Sequence, residues 1–168
     1  MSSIHINGKI LQAALVDLLD LASQLRQSRW NLVEAPFRPL HLQLDELTNQ
    51  VRAWADEVAQ SIRAIGEVPD GRVATVAATS RLAELPLGEV TQLTVLELLA
   101  NQVDEVATQI RTQLPELQQD LAAKCLVAGI ADRLDTQASM FRMQRHWHYI
   151  APSKGELVTS RNSGDDRP

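Results

Sequence analysis

Apolar residues recur along this chain in alternating steps of four and three, the mark of amphipathic helices. In the first segment, about Gly8 to Glu34, Leu11, Leu15, Leu18, Ala22 and Leu25 share one face. Continued, the same spacing reaches Arg29 and then Leu32, which sets an arginine on the core stripe. Asn7 reads as the N-cap, and Pro36 and Pro39 close the segment. The second segment, about Pro39 to Ile65, repeats the spacing with Leu40, Leu44, Leu47, Val51, Trp54 and Val58, and Gly66 suits its stop.

Residues 67–88 break the pattern with two turn signals, Glu67-Val68-Pro69-Asp70-Gly71 and Leu85-Pro86-Leu87-Gly88, and room for a short helix between Arg72 and Ala83. A third helix is expected from about Glu89 to Leu114, on Leu93, Leu96, Ala100, Val103, Ala107, Ile110 and Leu114. A fourth is expected from about Leu117 to Tyr149, with Leu121, Ala128, Ala131, Leu134, Ala138 and Phe141 on one face. Gly129 lies inside it at a cost of roughly 1 kcal/mol in propensity, which suggests a helix packed close against it. Four long helices with one long connection in the middle predict an all-α, ferritin-like four-helix bundle with a short helix in the crossover. The expected organisation is a short tail over 1–7, the bundle over 8–150 and a polar tail over 151–168.

Composition narrows the classes. With 168 residues, 45% hydrophobic and only seven Gly and seven Pro, the chain suits one packed domain and neither a collagen-like nor a disordered one. No apolar run approaches the ~18 residues of a membrane span, and no secretory signal opens the chain, so a cytoplasmic protein with no membrane partner is expected. The single cysteine, Cys125, reads as a small packed side chain. A net charge of −5 argues against a dedicated nucleic-acid binder.

Candidate chemistry lies in a polar row flanking the second segment. His41 and Asp45 are one helical turn apart, Asp56 returns to nearly the same face, and Gln60 follows four residues later. A His and two Asp suit Fe(II), Mn(II) or Zn(II). By spacing alone the signal is weak, and the row reads first as a solvated flank of the second helix. Elsewhere, Trp30 and Trp54 read as interface or core residues, and His146 and His148 as surface residues.

The segment Arg26-Gln27-Ser28-Arg29-Trp30-Asn31-Leu32, then Pro36-Phe37, then Leu40-His41-Leu42-Gln43-Leu44-Asp45-Glu46, resembles the signature of the Dps family. That signature usually reads Lys-Gln-x-His-Trp-Asn-Val, Pro-x-Phe, Leu-His-x-x-Phe-Asp-Glu. The likeness continues through Ala55 to Pro69, Ala78 to Pro86 and Leu134 to Arg142, and spans roughly residues 8 to 148. The resemblance implies a homo-oligomeric shell of twelve subunits that oxidises Fe(II) with peroxide and stores the ferric product. It also implies a ferroxidase site between two-fold-related subunits, with Arg29, His41 and Asp45 standing on one side and Asp56 and Gln60 on the other. Trp30 adjoins it. Asp120 is the candidate for a pore-lining carboxylate, since the family's acidic residue there is replaced by the stretch Ala122-Ala123-Lys124-Cys125.

Two of the five implied ligands depart from the family pattern. Arg29 stands where the family has a histidine, and a guanidinium has no lone pair to give a metal. Gln60 stands where the family has a glutamate, and a neutral amide is the poorer ligand for a hard cation. Iron is therefore the implied substrate, with weak binding expected and ferroxidase activity lost or reduced. The alternative is a working iron-oxidising enzyme on His41, Asp45 and Asp56 alone. Weak or absent DNA binding is expected as well. The tail after Pro152 sets Lys154, Arg161 and Arg167 against Glu156, Asp165 and Asp166, leaving none of the clustered positive charge that counterion release requires.

Overall fold

The structure, a computed structural model, describes residues 2–33, 38–117 and 120–150. Its elements are α1 (Ser2–Asn31), α2 (Arg38–Ala64), α3 (Val73–Thr79), α4 (Gln92–Gln113), a 3-10 turn (Leu114–Glu116) and α5 (Leu121–Ile150). α1 pairs with α2 and α4 with α5; α1 also meets α4, and α2 meets α5, which closes a four-helix bundle. The short α3 lies against α1 within the crossover, residues 65–91. That connection runs beside a helix ~40 Å long, so it can carry the chain from one end of the bundle to the other.

The core follows the repeating stripes. Leu11, Leu18 and Leu25 of α1, Leu44, Val51 and Val58 of α2, and Leu96, Val103 and Ala107 of α4 are fully buried. On α5 the buried row is Ala123, Val127, Ile130, Ala131, Leu134, Ala138 and Phe141. Leu121, expected on this stripe, is instead exposed in the first turn of α5. Trp54 is a core residue, with the Arg133 guanidinium 5.9 Å from its ring centroid.

Helix ends are set by named contacts. Gly66 takes φ +84 and closes α2. Its N–H donates to Arg63 O (3.0 Å), and Glu67 N–H donates to Ile62 O (3.1 Å), the paired bonds of a Schellman motif. Asn7 is not the N-cap of α1. It lies four residues before Leu11 on the same stripe, and it is buried in a helix that begins at Ser2. Residues 2–7 thus continue α1 instead of preceding it, and His5 pairs with Glu67 at 2.8 Å.

Polar clamps hold the crossover to the bundle. The Gln12 side chain donates to Asp70 O (2.8 Å) and accepts from Asp70 N–H (2.9 Å). Asp17, fully buried on α1, accepts from Arg81 Nε (3.0 Å), Arg81 Nη2 and Arg81 N–H (3.3 Å). Arg81 Nη1 reaches on to Gln109 Oε1 of α4 (3.0 Å). Gln102 Nε2 donates to Ala83 O (2.7 Å). At the far end Val90 N–H donates to Asn31 O (2.9 Å) and Val33 N–H to Val90 O (3.2 Å), stitching the crossover to the end of α1.

Candidate metal centre

The site is built where the last turn of α1 passes the second turn of α2. The α1 stripe that buries Leu18, Ala22 and Leu25 runs on to Arg29 at the edge of the bundle. There Arg29 Nε lies 2.6 Å from Asp45 Oδ1. The Nε–H does not point along that line, so the contact is a close ion pair rather than a directed hydrogen bond. The Arg29 and Asp45 side chains are 37% and 46% exposed, so in the single chain the pair adds at most about 1 kcal/mol to stability. Its consequence is chemical. A cation without lone pairs stands against the carboxylate that the family resemblance names as a ligand.

His41 is half-buried one turn before Asp45 on α2. Asp56 and Gln60 are exposed further along the same helix. Eleven residues separate Asp45 from Asp56, about 16 Å of helix axis, far beyond the ~2–2.5 Å reach of ligands on one ion. The single chain therefore brings Arg29 to Asp45 and keeps Asp56 and Gln60 apart from them. Among the described residues no three His, Cys, Asp or Glu side chains gather to hold a metal. Two clefts, of about 610 and 480 Å³, lie along the crossover, and neither is lined by Arg29, His41, Asp45 or Asp56.

Trp30 is 65% exposed, beside Arg29 in sequence and in the same last turn of α1. Asp120 caps α5, its Oδ1 accepting from Ala123 N–H at 2.9 Å, so that oxygen is held by the helix end. Cys125 is exposed on α5, contrary to the packed position expected of it. Gly129 has no close neighbour among the described residues: a Cβ there would meet nothing within 4 Å, so no described helix packs against it as expected. His146 is exposed, while the side chain of His148 and the tail cations Lys154, Arg161 and Arg167 lie outside the described residues.

Two groups escaped the sequence reading. The first is the buried Asp17 with its partner Arg81. An acidic residue inside the apolar run Ala13 to Ala22 was the available signal, because a carboxylate there needs a cation. The second is Asp70. Hydrogen bonds from the Arg72 side chain, then Arg72 N–H and the Thr75 hydroxyl, hold its carboxyl well below the usual carboxylate range.

A bundle with one long crossover between its second and third long helices has the ferritin-like topology. A ferritin-like domain matches residues 8–144. Over 95 residues the chain is 33% identical to the fine tangled pili major subunit of Haemophilus ducreyi, covering 56% of this chain and 50% of that one. Over 108 residues it is 30% identical to DNA protection during starvation protein 2 of Deinococcus radiodurans, covering 64% and 45%. The chain thus spans about half the length of these two curated relatives. The crystal structure of Dps92 from Deinococcus radiodurans superposes with a TM-score of 0.81 at 24% identity, covering 85% of this chain and 87% of that one. Within the ferritin-like class, the chain belongs to the Dps family.

Proposed function

We propose that this protein is the subunit of a cytoplasmic, twelve-copy Dps-type shell in which iron oxidation at the two-fold site is lost or strongly weakened. The observation that carries the reading is the 2.6 Å approach of Arg29 Nε to Asp45 Oδ1. In a working site, histidine nitrogens and carboxylates would hold Fe(II) while peroxide accepts its electrons. Here the guanidinium neutralises Asp45, offers no lone pair and stands where a ligand would be needed. Gln60 removes the negative charge on the other side of the site. What remains, His41, Asp45 and Asp56, is a reduced ligand set with one member already paired.

The chain would then act in stress protection through the shell itself rather than through rapid iron turnover, and would hold DNA weakly because its tail carries no net positive charge. The test is Fe(II) oxidation by peroxide in the wild type and in the double variant R29H/Q60E. The expected result is a slow wild type and a gain of at least about tenfold in the variant, the scale set by restoring about 1.4 kcal/mol of ligand interaction. A fast wild type, changed little by the double substitution, would instead establish a working centre on His41, Asp45 and Asp56.

A further inference from the structure

The larger of the two clefts along the crossover lies between α1 and the stretch from Val76 to Leu87. Its volume, about 610 Å³, is that of a small-molecule site. The two walls differ in chemistry. The crossover wall is mostly apolar, built on Val76, Leu82, Leu85 and Leu87, whereas the α1 wall is polar and includes Asp20 and Gln24. Leu87 is 94% exposed, an apolar side chain that the fold itself leaves uncovered.

The polar wall is short of donors and of positive charge. Asp20 Oδ2 accepts from Ser80 Oγ and from Gln24 Nε2 (3.2 Å). Leu82 N–H donates to the same Ser80 oxygen (3.2 Å), which turns that hydroxyl toward Asp20 as a donor. Both bonds to the carboxylate fall on one oxygen, so Asp20 Oδ1 is left for a further donor. Among the described residues Asp20 forms no ion pair and no Lys, Arg or His lines the cleft, while Glu84 adds a second negative charge. Gln24 supplies an independent sign of the same lack. It is 8% exposed, and its buried Oε1 has no hydrogen-bond partner among the described residues. The amide cannot turn round to hide that oxygen, because its nitrogen is spent on Asp20 and a turn would set oxygen against carboxylate. Open acceptors, net negative charge and a hydrocarbon wall together select a ligand with N–H donors, a positive charge and an apolar body. A bare metal ion has nothing to place on the apolar wall.

We propose that this cleft binds a small primary amine with an aliphatic stem. Its ammonium donates to Asp20 Oδ1 and Gln24 Oε1, and its stem lies on Leu82, Leu85 and Leu87. The cleft shares no residue with the candidate metal centre, so the proposal stands or falls apart from the iron reading. Since the ligand touches α1 and the crossover at once, its binding also raises the stability of the fold by mass action.

Isothermal titration calorimetry of the full chain at pH 7 tests this, with hexylamine, hexan-1-ol and ammonium chloride as probes and circular dichroism to confirm folding. Hexylamine is expected to bind at one site per chain. Hexan-1-ol lacks the charge and ammonium chloride lacks the stem, so each is expected to bind at least about tenfold more weakly. D20N is expected to weaken hexylamine binding at least about tenfold. L87S changes an exposed side chain, so it keeps the test open if D20N does not fold, and it is expected to weaken binding by about threefold or more. No binding of hexylamine up to about 10 mM would overturn the proposal. So would hexan-1-ol binding as tightly as hexylamine, or a folded D20N or L87S protein that binds hexylamine like the wild type.

Discussion

Removing the Arg81 guanidinium should be among the most damaging single changes in the crossover. Asp17 is fully buried on α1, and its oxygens accept three N–H groups, all from Arg81: the backbone N–H at 3.3 Å, Nε at 3.0 Å and Nη2. R81A leaves the backbone bond at best and strands a buried carboxylate without a cation, a change that costs about 3–5 kcal/mol. It also cuts the 3.0 Å link from Arg81 to Gln109, so the crossover loses its hold on α1 and α4 together. For a domain of this length each kcal/mol moves Tm by about 2–4 °C, so a fall of roughly 6–20 °C is expected. Thermal and urea unfolding followed by circular dichroism at pH 7 measures it, at one fixed protein concentration because any self-association makes apparent stability concentration-dependent. D17L/R81M replaces both partners with apolar groups and should recover most of the loss, since the penalty lies in the unpaired charge. An R81A protein within about 1 kcal/mol of the wild type, or a double variant no better than R81A, would refute this account of the clamp.

Three further outcomes are expected. Asp70 has its folded value held below the unfolded one, so its contribution is present above about pH 4 and fades as the pH falls through the folded value; the stability gap between wild type and D70N should narrow between pH 5 and pH 2, and a gap constant over that range would contradict it. G129A adds a Cβ into open space inside α5 and should stabilise the isolated subunit by about 0.5–1 kcal/mol in urea unfolding; a loss of stability would show that something packs against that face. In gel shifts with duplex DNA, any band retarded at low salt should disappear by ~150 mM salt, and a complex that persists there would contradict the weak-binding expectation.

The fold was legible because its information is periodic. The stripes Leu11 to Leu25, Leu40 to Val58 and Leu96 to Ile110 are buried as their spacing demands, and the long break at 67–88 located the crossover. Periodicity failed where it has no fixed end. Nothing in spacing told Asn7 as a cap from Asn7 as a buried member of the stripe, and the first turn of α5 left Leu121 exposed. Gly129 was misread because propensity gives the cost of a glycine without giving a neighbour for it. The candidate site was named as residue identities, Arg29, His41, Asp45, Asp56 and Gln60, through family resemblance. The contact of Arg29 with Asp45 joins residues sixteen positions apart on two helices, and no single-helix pattern contains it. The clamp between Asp17 and Arg81 spans 64 positions and was invisible for the same reason.

The most direct measurement is a crystal structure of the assembled protein soaked in Fe(II) under anaerobic conditions, with anomalous diffraction recorded at the iron edge. The Arg29 guanidinium is expected to lie against Asp45, with no iron peak beside it. An iron peak coordinated by His41 and Asp45, with Arg29 swung away, would contradict it.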